Sequence, residues 1–117
     1  NAARLAGLAA EDAVARWYAE RGGVIEARNW RAPRADGGGE IDLIVRLGDT
    51  VVFVEVKAGR SALGRDVIRP SQWARLEKAA LRYTMLRETG EAPLRFDAAF
   101  VGPDGAVAVV ENARGMD

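Results

Sequence analysis

Apolar residues follow two rhythms along the chain, one near 3.6 residues and one of two, and their succession predicts the elements. Leu5, Leu8, Ala9, Val14 and Trp17 keep a helical spacing until Gly22-Gly23, which predicts a first helix from Arg4 to Arg21. Gly23 to Arg31, with Val24, Ile25 and Trp30, reads as a strand, and Pro33 to Gly39 as a glycine-rich loop. Glu40 to Leu47 and Thr50 to Lys57 are two strong strands. After an aperiodic stretch from Arg60 to Pro70, Leu76, Ala79, Ala80, Tyr83 and Leu86 mark one face of a second helix from Ser71 to Glu88. Leu94 to Val101 and Ala106 to Val110 follow as strands joined by the turn from Gly102 to Gly105. The order α-β-β-β-α-β-β implies an α/β fold, a mixed β-sheet flanked by helices, in a single domain over residues 3–112. The Asn1-Ala2 start has no initiator Met and is expected to be extraneous to the natural chain. Residues 113–117 are expected to form a flexible tail, fraying from Asn112.

One turn fixes more than its own shape. Gly48-Asp49 suits a two-residue type II′ hairpin turn with glycine first, so Leu47 faces Thr50 and facing residue numbers sum to 97. One face of the hairpin then pairs Ile41 with Val56, Leu43 with Val54 and Val45 with Val52. The other pairs Ile44 with Phe53, Asp42 with Glu55, and Glu40 with Lys57. Two carboxylates opposite each other repel, so nothing in folding asks for this pair.

Composition narrows the chemistry. The 117 residues contain no cysteine and no histidine, which removes disulfides, thiolate nucleophiles, Ser-His-Asp and Cys-His triads and imidazole-bound zinc. Lys plus Arg and Asp plus Glu both total 17, so a nucleic-acid partner would have to meet a local basic patch. Fifteen of the cations are arginines, and the two lysines, Lys57 and Lys78, depart from the chain's own habit. No apolar run reaches the ~20 residues of a membrane span and no signal-peptide pattern appears, so a cytoplasmic protein with no membrane association is expected.

A divalent cation turns the repulsion between Asp42 and Glu55 into attraction, and hard oxygen donors suit Mg²⁺ or Mn²⁺. Lys57 lies two residues past Glu55 on the same strand face, where its ammonium can orient an attacking water or offset developing negative charge. Asp42, a twelve-residue gap and Glu55-Val56-Lys57 resemble the signature of the PD-(D/E)xK nuclease superfamily, which includes restriction enzymes and Holliday-junction resolvases. The closer resemblance is to the YraN-like bacterial family, through Gly39-Glu40-Ile41-Asp42-Leu43-Ile44, Val52-Phe53-Val54-Glu55-Val56-Lys57 and Arg60. It extends to Gly7, Ala10 and Glu11 on the first helix and to Arg95-Phe96-Asp97 on a late strand. The resemblance implies a restriction-endonuclease-like core with the acidic residue and the Glu-x-Lys on adjacent strands. It adds Glu11 and the Val56 carbonyl to the metal ligands Asp42 and Glu55, and Gln72 to the catalytic set of Asp42, Glu55 and Lys57. Ile41 replaces the proline that names the superfamily, and Gln72 stands where YraN-like sequences usually carry lysine.

Arg28, Arg31, Arg34, Arg60, Arg65 and Arg69 fall on segments entering or leaving this constellation and are candidate phosphate contacts. Glu40 is expected to orient Lys57, and Trp17, Trp30, Trp73 and Tyr83 to serve mainly in packing. The reading that follows is a Mg²⁺-dependent endonuclease-like domain hydrolysing phosphodiester bonds in DNA, with branched DNA as one substrate option. A homodimer fits by analogy with resolvases. The alternative is a nucleic-acid-binding module of the same fold that cuts weakly or not at all. A third reading, a small interaction domain without a nucleic-acid role, is disfavoured by the facing carboxylates.

Overall fold

In the computed structural model the described residues are 2–59, 68–87 and 90–115. Helix α1 (Ala2–Ala19) leads to β1 (Val24–Arg31), a short 3-10 turn (Arg34–Asp36), β2 (Glu40–Leu47) and β3 (Thr50–Ala58). Helix α2 (Pro70–Arg87), β4 (Leu94–Val101), β5 (Val107–Val110) and a second 3-10 turn (Ala113–Gly115) complete the order, which matches the predicted succession. The strands form one sheet in the order β1-β2-β3-β4-β5. Only β3 and β4 run parallel, because α2 carries the chain across between them; the other neighbours are antiparallel.

The sheet lies between the two helices. Ala10, Val14, Ala15 and Tyr18 of α1 pack on Leu43, Val45, Val52, Val54, Ala99 and Val101. On the other face Trp73, Leu76, Ala79, Ala80 and Tyr83 of α2 pack on Ile44, Val51, Phe53, Ala98 and Phe100. Both strands of the hairpin are covered on both sides, so their alternation is apolar with apolar until the carboxylates begin.

The hairpin register is the one the turn dictates: Leu47↔Thr50 through Leu43↔Val54, every pair summing to 97. Gly48 has φ 62° and Asp49 is not among the positive-φ residues, as a type II′ turn requires. Three details differ from expectation. Leu5 and Leu8, placed on the inner face of α1 by periodicity, are 65% and 41% exposed, and Leu86 at the end of α2 is 59% exposed. The buried stripe of α1 is instead Ala10, Val14, Ala15 and Tyr18, since only its second half lies over the sheet. Ile41 packs in the cluster beneath α2 rather than with Leu43 and Val45.

The third difference is the chain end. The Asn112 amide donates to Asp97 Oδ1 at 2.9 Å, Ala113 packs against the α2-side core and Arg114 pairs with Glu77, so the chain is docked through Arg114 where fraying was expected. Asp97 anchors this region. It is 0% exposed and also accepts the Tyr18 hydroxyl at 2.6 Å and two bonds from the Arg95 guanidinium at 2.9 Å. Helix α1, strand β4 and the segment after β5 thus meet on one carboxylate whose charge is matched by a bidentate arginine.

Candidate metal and phosphate site

Strands β2 and β3 part company just beyond their last pair. The ladder ends at Leu43↔Val54, whereas β2 goes on pairing β1 as far as Arg31↔Glu40, and β3 goes on pairing β4 to Ala58↔Val101. In a regular hairpin closed at Leu47↔Thr50, the next hydrogen-bonded pair after Leu43↔Val54 would join Ile41 and Val56. Instead the Val56 N–H donates to Asp42 Oδ2 at 2.9 Å. A side chain has entered the place of a strand-to-strand contact. Asp42 and Glu55 therefore stand at a fork in the sheet, held from two strands that are each anchored on their outer side.

The fork opens into a cavity of about 490 Å³ between the Pro33–Gly39 loop and the start of α2. Glu40, Asp42 and Glu55 supply its acidic wall, Arg31, Arg34 and Arg75 its basic wall, and Gln72 and Leu76 reach it from α2. The loop is pinned to the helix. Asp36 accepts from Arg82 at 2.7 Å, and Gly39, at φ 106°, lies so close to α2 that a Cβ there would meet the Ala79 Cβ at 3.3 Å. Glycine at this position lets the backbone both turn and approach.

The protonation of the acidic wall is unusual. Burial, then the hydrogen bond and charge of Glu55, push the Asp42 carboxyl up to about 8, while the Val56 N–H and Lys57 pull it down. Asp42 therefore keeps its proton to higher pH than an exposed aspartate does. Two carboxylates offer the oxygen donors that Mg²⁺ or Mn²⁺ takes, although among the described residues no group of three or more His, Cys, Asp or Glu side chains is placed to hold a metal ion. Magnesium tolerates so few protein ligands because it keeps several of its waters.

The other expected residues divide. Gln72 lines the cavity, and its Oε1 accepts the Arg69 N–H at 3.1 Å, so one of its polar atoms serves the first turn of α2. Glu11 is not on the cavity wall. Its Oε1 accepts from Asn29 Nδ2 at 3.0 Å, and its carboxyl is raised by burial and then by the charges of Asp42 and Glu40, which places it within electrostatic range of the fork. Lys57 acts on Asp42 through its charge but does not line the cavity. Its expected partner Glu40 pairs across β1 with Arg31 at 3.7 Å, because β2 follows β1 where it leaves β3. Val56 enters the site through its N–H.

Among the arginines, Arg31 and Arg34 are on the cavity wall. Arg28 is paired with Asp12 of α1 and lies off it, and Arg69 is exposed and is not on the wall. Arg60 and Arg65 lie outside the described residues. Arg75 was not anticipated. Its spacing of three from Gln72 on one helix was the available signal, but it pointed to the cavity only once Gln72 was known to face it. The four aromatic residues do pack. Trp30 and Phe53 meet Tyr83 edge-on at 5.4 and 5.9 Å, Trp73 is buried, and Trp17 lies edge-on to Tyr18 at 4.9 Å.

A helix-flanked five-stranded sheet whose central hairpin forks around a carboxylate pair defines an α/β domain with a restriction-endonuclease-like arrangement of strands. The chain belongs to the uncharacterised protein family UPF0102, the YraN family, whose model matches residues 10–101. It is similar to a UPF0102 protein of Ruegeria pomeroyi, 44% identical over 113 residues covering 95% of this chain and 89% of the relative. A UPF0102 protein of Cereibacter sphaeroides is 40% identical over 110 residues, covering 92% and 91% of the two chains. One of Paramagnetospirillum magneticum is 38% identical over 106 residues, covering 88% and 81%.

Proposed function

We propose that this protein is a Mg²⁺-dependent endonuclease that hydrolyses phosphodiester bonds in DNA. The observation that carries the reading is the Asp42–Glu55 pair at the fork of β2 and β3, opening on a cavity that Arg31, Arg34 and Arg75 also line. Asp42 and Glu55 would hold the metal, with the Val56 carbonyl and Glu11 as candidate further donors. When bound, the ion supplies Lewis-acid activation of a water and neutralisation of phosphate charge. The chain's own residues do the rest. The Val56 N–H fixes the orientation of the Asp42 carboxylate, so the site needs little rearrangement to receive a cation. Asp42 must give up its proton to receive a cation, which the nearby Lys57 charge assists. Lys57 then supports the attacking water and offsets negative charge as the phosphorus becomes five-coordinate.

A second reading has its own observation. Gln72 Oε1 is engaged by the helix start and Lys57 is absent from the cavity wall, which favours a DNA-binding module that cuts weakly or only within a complex. Incubation with plasmid, single-stranded and four-way-junction DNA in Mg²⁺ or Mn²⁺ separates the two. Cleavage lost in Asp42→Asn and Glu55→Gln supports the nuclease; binding of DNA without metal-dependent cleavage supports the module. A wild type that neither cuts nor shifts DNA sinks both.

A further inference from the structure

Opposite charges that share a surface ordinarily close onto one another. Among the described residues Arg28, Arg31, Arg46, Arg82, Arg95 and Arg114 do so, each ion-paired with a carboxylate. Arg34 and Arg75 behave differently. They line the same cavity as Glu40, Asp42 and Glu55, yet among the described residues neither makes an ion pair. Their backbones explain it. Arg34 sits on the loop pinned by Asp36–Arg82 and by the Gly39–Ala79 approach, and Arg75 lies one turn before Ala79 on the helix that receives that loop. The two guanidinium groups are thus carried by segments locked to each other, on the cavity that the carboxylates also line.

A cavity lined by carboxylates and by two arginines without an ion pair is completed by a filler of matching polarity, a cation against the acids and an anion against the arginines. We propose that Arg34 and Arg75 form a two-sided clamp for a phosphodiester group of DNA, gripping it from the loop and from α2 above the Asp42–Glu55 pair. Guanidinium suits the task, because its planar fork can give two parallel hydrogen bonds to phosphate oxygens without losing its charge. The clamp rests on the nucleic-acid reading of the site, and it assigns the phosphate contact to Arg75, a residue outside the sequence candidates.

Fluorescence anisotropy tests it, using labelled single-stranded and duplex oligonucleotides with Ca²⁺ in place of Mg²⁺ over a salt series. Arg34→Met and Arg75→Met should each weaken binding by about 5- to 20-fold and lower the slope of log affinity against log salt by about 1, with Arg75→Lys recovering part of the loss. Arg16→Met removes an exposed arginine of α1 that is not on the cavity wall, and should change neither quantity. Thermal melts of the two clamp variants should stay within about 2 °C of wild type, since among the described residues neither arginine makes an ion pair. Clamp variants that match Arg16→Met, or a wild type that does not bind DNA, overturn the proposal. Binding through the clamp without cleavage in Mg²⁺ would remove the nuclease reading and leave the clamp. Cleavage by the wild type with both clamp variants as tight and as active as Arg16→Met would do the reverse.

Discussion

Asp97 and Asp42 occupy the same sheet and meet opposite fates. Asp97, fully buried, collects a phenol, a bidentate guanidinium and a backbone amide, so its charge is matched and its acceptor sites are filled. Asp42 is partly buried and receives one backbone amide, and its nearest ionisable neighbour is a second carboxylate. The first arrangement is what a folded chain needs of a buried acid. The second costs stability, which a cation bound between the two carboxylates would offset. Burial of an acid therefore says little about its role, whereas the sign of what surrounds it says a great deal.

The largest effect should come from breaking the satisfied centre. Asp97→Asn leaves the Arg95 guanidinium beside a neutral amide, and an equilibrium denaturation curve should record a loss of about 3 kcal/mol or more. A stability change below about 1 kcal/mol would erase the contrast drawn between the two acids.

Next comes Lys57, which marks the unsatisfied centre as catalytic or merely balanced. Lys57→Arg should keep the fold within about 0–1 kcal/mol. It should also reduce cleavage by about 10²-fold or more, because the bulkier planar guanidinium misplaces the group that orients the water. Equal cleavage by the variant would take the role away from Lys57 and pass it to Gln72, an uncharged polar side chain that does line the cavity.

Metal should then convert one kind of centre into the other. At 100 times its dissociation constant, Mn²⁺ or Mg²⁺ should stabilise the fold by about 2.7 kcal/mol, seen as a rise in melting temperature, and Asp42→Asn should abolish the rise. Without metal the same variant should be the more stable protein, in a pH-dependent way. The Asp42 carboxyl is raised from 3.8 to about 8, so between those values the folded chain keeps a proton that the unfolded chain has lost. Wild-type stability therefore falls as pH rises through this window, and the advantage of Asp42→Asn should grow with it. An advantage independent of pH would show that the fold does not hold Asp42 protonated.

The smallest effect tests the reach of the Asp97 centre. Tyr18→Phe removes one of its donors and should cost about 1–2 kcal/mol near neutrality. Burial, then Asp97, raise the Tyr18 phenol above its ordinary 10.0, so the folded chain retains a proton there that the unfolded chain releases. Its contribution is full below pH 10 and lost as pH climbs further. Alkaline denaturation of the wild type should accordingly steepen above that pH, and Tyr18→Phe should flatten the decline.

What the sequence determined by itself was whatever depends on near neighbours along the chain. The Gly48-Asp49 turn and strict alternation fix a register, because a slip of one residue would turn every apolar side chain of the hairpin to the wrong face. That register was enough to bring Asp42 and Glu55 toward the same site, and the missing histidines and cysteines were enough to confine the chemistry to oxygen ligands. The inner face of α1 was half legible: Val14 was found, while Tyr18 was missed because its burial depends on Asp97, 79 residues away. Only the tertiary structure decided where the hairpin stops pairing: beyond Leu43 and Val54, β2 stays with β1 and β3 with β4. It alone placed Arg75 beside Arg34, because the contacts that join their segments, Asp36 with Arg82 and Gly39 with Ala79, span 46 and 40 positions of sequence. Spacing along a chain can say which side of a strand a residue takes. It carries no information on which distant segment will lie across the gap, because that is set by the packing of α2 against the loop.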